Sequence, residues 1–198
     1  MGFIKPFIHK KLMIFYVRKL SYLKKINEIF NSDIDINEFI SILTKNDKHE
    51  NILFSCIELD NRFNANKINE HLMGTISRSI VLSIEEIIKD YKEERKLLDC
   101  LKSLSKDEKL FETYVIREYR DYNSSDEVLE LLDKLICDNE QSLEQYLAIY
   151  LASRNYLAHY NIDMDKFFWG LDGKRRIISN TLNSVIVILY RIEILKEK

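Results

Sequence analysis

The sequence predicts an all-α fold, a bundle of packed helices. Three observations carry that prediction. The 198 residues include only four glycines and one proline, too few breakers for a turn-rich β-sandwich. Apolar residues recur at helical spacing through nearly every segment. Between those segments stand short polar signatures of the kind that cap helices. With 46% apolar and 31% charged residues, the chain has the composition of a globular protein long enough to bury one core.

In order along the chain, Leu12, Phe15, Tyr16, Leu20, Leu23, Ile26 and Phe30 form a stripe on a helix over 11–30. "SDIDINEFISIL" starts a short helix with Asp35 as N-cap and Glu38 three residues on. "HENILFSCIELDNRF" reads as a helix, although its short apolar run also fits a strand. The polar, asparagine-rich "NRFNANKIN" at 61–69 marks a boundary. It divides a basic N-terminal helical extension, 1–64, from a helical bundle, 65–198. In the bundle, Ile76, Ile80, Ile84, Ile87, Ile88 and Tyr91 make one face of a long helix. Leu97, Leu98, Leu101 and Leu104 line a shorter one over 95–104. "SKDE" at 105–108, "SSDE" at 124–127 and "DNEQ" at 138–141 each open a helix as a capping signature. After a loop with Gly170 and Gly173, Ile178, Leu182, Val185, Leu189 and Ile192 make a last long helix.

Several function classes drop out on composition. A net charge of −2 excludes a globally basic nucleic-acid binder. The charge is uneven, however: in residues 1–30, Lys5, Lys10, Lys11, Arg18, Lys19, Lys24 and Lys25 face Glu28 alone. That segment is either a solvated helix face or a local attractor of polyanions. Cys56, Cys100 and Cys137 are odd in number and widely spaced, so they make neither a disulfide framework nor a zinc motif. They read as small buried hydrophobes in a reducing cytoplasm. The longest apolar runs, "LMIFYV" at 12–17 and "VIVILY" at 185–190, fall short of the roughly 18 residues a membrane span needs. The N-terminus lacks the tripartite pattern of a signal peptide. His9, His49 and His71 show no metal-ligand spacing, and there is no Gly-rich phosphate loop or Gly-x-Ser-x-Gly. No metal, cofactor or membrane is expected.

The chemistry concentrates in "ASRNYLAHYN", 152–161. With Leu143 at 0° on a helical wheel, Leu147, Tyr150, Leu151, Leu157 and Ala158 all fall within about 80° of it. Arg154 falls in their middle, at about 20°. An arginine there cannot shed its charge. It must bridge buried carboxylates, cap carbonyls, or stand ready for an anion. On the same wheel His159 lies at about 160°, away from Arg154. "HYNIDMD" reads as the helix ending, with Asn161 suited to a left-handed cap. A turn there, or a second copy packed on the stripe, could bring His159 back.

"RNYLAH" resembles the Arg-x4–6-His motif of HEPN domains, all-α bundles of which many are metal-independent endoribonucleases of defence and toxin systems. The resemblance covers roughly 66–197, and Asn155 fits the family's preference for a polar residue directly after the arginine. One departure stands out. The toxins paired with nucleotidyltransferase antitoxins carry a tyrosine two residues past the histidine, where this chain has Asn161 and places Tyr160 one earlier. The resemblance implies a homodimer in which two motifs make one composite site on RNA, with an antitoxin or defence-complex partner as a further possibility. It implies that Arg154 binds the phosphate, that His159 assists proton transfer and that Asn155 holds the pair. Tyr156 and Tyr160 in the motif, and Lys174 and Arg175 in "GKRR", are the candidate substrate-binding residues. The competing expectation is a non-catalytic nucleotide-binding or protein-interaction module of the same fold.

Overall fold

Ten helices and no strand make up the described residues of the computed structural model, which are 22–64, 70–92, 96–115, 124–137, 141–159, 163–170 and 177–197. They are α1 (Tyr22–Phe30), α2 (Ile36–Leu43), α3 (Asp47–Asn64), α4 (Glu70–Lys92), α5 (Leu97–Leu104), α6 (Glu108–Tyr114), α7 (Ser125–Ile136), α8 (Leu143–His159), α9 (Met164–Trp169) and α10 (Ile177–Lys196). The all-α expectation holds, and "HENILF" is helical. Residues 11–21 of the first predicted stripe, and 65–69 of the asparagine-rich boundary, lie outside the described residues.

Local chemistry explains several of the helix starts. Asp35 accepts from the amides of Asn37 and Glu38 at 2.7 and 2.9 Å, as its capping signature predicts. Ser124 likewise accepts from Glu127. Two starts are corrected. The cap of α6 is Asp107, which accepts from Leu110 at 3.0 Å, while Ser105 serves as the C-cap of α5. Three residues, 105–107, separate the helices; Ser105 closes the first and Asp107, directly before Glu108, opens the second. The cap of α8 is Ser142, not the "DNEQ" signature, whose residues 138–140 lie outside the described residues. Ser142 Oγ accepts from Gln145 N at 3.2 Å and Gln145 Oε1 accepts from Ser142 N at 2.9 Å. That reciprocal box sits in "SLEQ", four residues downstream of "DNEQ".

Two helices are enclosed. α8 is buried on nearly every side, against α4, α6, α7 and α10. α10 packs on α1, α2, α3, α4, α5, α7, α8 and α9. Helices covered all round need apolar or small residues on every face, which "YLAIYLAS" and "SVIVILY" supply. By length and composition α10 could cross a membrane, but 78% of its apolar window is buried inside the bundle. The described part of the 1–64 segment shares this core through α10. Cys56 and Cys100 are buried as expected, whereas Cys137 is exposed at the end of α7. The short α9 was not legible as a helix: six residues cannot display a periodicity.

Candidate functional site

α8 carries the motif, and its surroundings fix the motif's pose. Tyr150 donates from its buried hydroxyl to the carbonyl of Val81 on α4 at 2.9 Å. Ser153 and Thr181 share a buried 2.7 Å hydrogen bond that ties α8 to α10. These bonds leave Arg154 facing α4 one turn beyond Val81, opposite Glu85.

Glu85 answers the question Arg154 raises. Nε of Arg154 donates to Glu85 Oε2 at 2.7 Å and Nη2 donates to Oε1 at 3.2 Å. This is the fork-on-carboxylate geometry that orients a guanidinium as well as neutralising it. The Glu85 side chain is 10% exposed and that of Arg154 16%, so the pair is mostly enclosed with one edge open. Lys89, one turn on, places Nζ 2.5 Å from Glu85 Oε1. Burial pushes the Glu85 carboxyl up, but the hydrogen bonds and charges of Arg154 and Lys89 outweigh it and hold it below the usual range.

The other edge of Arg154 meets His159. Nη1 lies 2.7 Å from His159 Nε2 and donates to Asn155 Oδ1 at 3.3 Å. Four of the five N–H groups are thus engaged, and the second on Nη2 has no partner among the described residues. The contact with His159 requires an unprotonated Nε2, hence a neutral ring with its proton on Nδ1. Its pKa is lowered accordingly, first by burial, then by the Arg154 charge, with Glu85 opposing and Arg78 adding to the depression.

The wheel placed His159 away from Arg154, yet the two touch while α8 stays helical through His159. The wheel compares Cβ directions only. A guanidinium ends several bonds beyond its Cβ, and helical side chains lean toward the N-terminus. The imidazole in the last turn therefore leans back onto a guanidinium that Glu85 has already fixed.

The predicted residues sort into four groups. Arg154 and His159 come together at the open edge. Asn155 is buried, and its bond to Arg154 makes it a support rather than a group that meets substrate. Tyr156 is corrected: it is fully buried, stacked on Phe167 at 5.4 Å, and cannot offer its ring to a base. Its hydroxyl instead accepts from Asp163 N at 3.1 Å and donates to Asp163 O at 3.2 Å, pinning the chain just after the motif. Tyr160, Asn161, Lys174 and Arg175 lie outside the described residues. The stripe expected to be shared with a second copy (Leu143, Leu147, Tyr150, Leu151, Leu157) is buried within the same chain.

Sequence reasoning missed Glu85, Lys89 and Arg78, all on α4. A signal for Glu85 existed: it stands on a face with Val81 and Ile88, where a carboxylate needs a cation as much as Arg154 needs an anion.

Elsewhere, a cleft of about 570 Å³ at the start of α3 is lined by Lys45, Lys48, His49, Asp90 and Lys196. Its lysines are each matched by a carboxylate, since Lys45 pairs with Glu197, Lys48 with Asp90 and Lys196 with Glu193. His49 is buried with Nδ1 2.9 Å from Glu193 Oε1. Among the described residues no three His, Cys, Asp or Glu side chains gather closely enough to hold a metal ion. Compared with family models, curated proteins and solved structures, the chain gives no match.

Proposed function

We propose that this chain is a metal-independent endoribonuclease of HEPN type that cuts RNA at the Arg154–His159 site, in the cytoplasm, within a defence or toxin–antitoxin system. The observation that carries the reading is the 2.7 Å contact between Arg154 Nη1 and His159 Nε2, on a guanidinium that Glu85 has oriented. A phosphodiester oxygen takes the unpartnered Nη2 N–H and, by displacing the imidazole, the adjacent Nη1 N–H. Arg154 then stabilises the charge that builds on phosphorus. The displaced, neutral His159 accepts the proton of the 2′-OH as its oxygen attacks the neighbouring phosphorus. The P–O5′ bond breaks, the leaving oxygen takes a proton from water or from a second copy's motif, and the products are a 2′,3′-cyclic phosphate and a 5′-OH. Because the apolar stripe of α8 is covered, a homodimer would meet at the open edge beside Arg154 and His159.

One observation favours a second reading. The Arg154–Glu85 pair is mostly enclosed and joins α8 to α4, which suits a non-catalytic nucleotide-binding or protein-interaction module equally well. Incubating RNA with the protein in EDTA decides between them. Cleavage by the wild type and its loss in Arg154→Ala and His159→Ala is the expected result. His159→Ala is the cleaner variant because it strands no buried charge. A wild type that binds but never cuts RNA selects the module, and undiminished cutting by both variants removes the assigned site.

A further inference from the structure

Arg78 stands on α4 seven residues before Glu85. Seven residues advance a helix by about 10.5 Å and return to within about 20° of the same face. The side chain is exposed, where Glu85 on the same face lies under α8. Its charge nevertheless reaches the site, where it acts on the His159 ring. The other cations of the site are committed to carboxylate: Arg154 and Lys89 both bind Glu85. Arg78 has neither an ion pair nor a hydrogen bond among the described residues.

An uncommitted guanidinium beside a phosphate-binding one suits a second phosphate of the same strand. We propose that Arg78 holds the phosphodiester next to the one at Arg154, so that the site takes single-stranded RNA carrying at least two phosphodiesters. A flexible single strand can lay consecutive phosphates along α4 and still turn a ribose for in-line attack, whereas a duplex presents a fixed backbone and is read by shape. The inference rests on the proposed RNA site.

The test is binding of labelled 2′-O-methyl oligonucleotides, which cannot be cut, followed by fluorescence anisotropy from low to moderate salt. A trinucleotide carries two phosphodiesters and a dinucleotide one. The wild type binds the trinucleotide more tightly, with a slope of log K against log salt steeper by about 0.7, the increment for one more phosphate on a single strand. Arg78→Ala erases both differences and Arg78→Lys keeps part of them. A variant that retains the wild-type preference and slope overturns the assignment, as does a wild type that does not distinguish the two lengths. Because the probes are uncleavable, a protein that shows this pattern but cuts no RNA overturns the ribonuclease reading and leaves Arg78 in place.

Discussion

Replacing Glu85 with glutamine keeps the side chain's shape and removes its charge. Arg154 then faces an amide that can accept one hydrogen bond but turns an N–H toward the other donor. Removing one partner of a buried ion pair costs about 3–5 kcal/mol, because a charge is left uncompensated. Two features of the geometry reduce that here. The open edge keeps Arg154 16% exposed, and glutamine preserves one of the bonds at 2.7 and 3.2 Å. The loss of Lys89 adds little, since its side chain is 36% exposed. The expected destabilisation is about 2–4 kcal/mol, a fall in melting temperature of roughly 5–15 °C for a chain of this size. Urea unfolding of the wild type, Glu85→Gln, Arg154→Met and the double variant measures it as a cycle, with an expected coupling of about 1.5–3 kcal/mol. The pH dependence supplies a second check. A carboxylate held below its usual pKa contributes stability that is complete above the unfolded value and disappears as pH falls through the folded one. The gap between wild type and Glu85→Gln therefore closes on acidification below about 4.5. A gap under 1 kcal/mol at neutral pH, or a coupling near zero, refutes the role assigned to this pair.

The His159 ring titrates below its ordinary value of 6.5, and Arg154→Met raises that pKa by removing a neighbouring cation; NMR of the ring protons measures both, and an unshifted or raised wild-type value refutes the contact. If a neutral His159 is the base, cleavage rises with pH through that lowered pKa and is already level at neutrality; an acid limb above 6.5 counts against it. Tyr156→Phe removes both hydrogen bonds to Asp163 and costs about 1–2 kcal/mol in urea unfolding, with weaker cleavage; a variant as stable as wild type shows that the hydroxyl pins nothing.

Much of this fold was legible because its signals are local. Asp35 and Ser124 cap where their signatures place them, and the isoleucines of α4 face the core as their spacing requires. Ser105 misled because a capping signature cannot say which of two nearby acceptors wins, and Asp107 won. In the site, Arg154 was conspicuous because a permanent charge on an apolar face has to be compensated. The compensating residue lies 69 positions away, and no local pattern connects Glu85 to Arg154. Tyr156 was misassigned for the complementary reason. An aromatic beside a catalytic motif looks the same in sequence whether its ring faces solvent or packs on Phe167.

The place of α10 has a consequence for how the chain comes into being. It contacts eight of the nine other described helices and is made after all of them. Until it is synthesised, the helices it covers lack a partner for the surfaces they bury against it, and α8 lacks its Ser153–Thr181 tie. Contacts that join α1 and α2 to α10 bridge long sequence separations, so they form at a high loop-closure cost. The interval before closure is when the apolar faces of the earlier helices are open to chaperones or to aggregation. The Arg154–His159 edge therefore takes its final form only once α10 has been made, and a polypeptide ending before residue 177 would carry the motif without the support that shapes it.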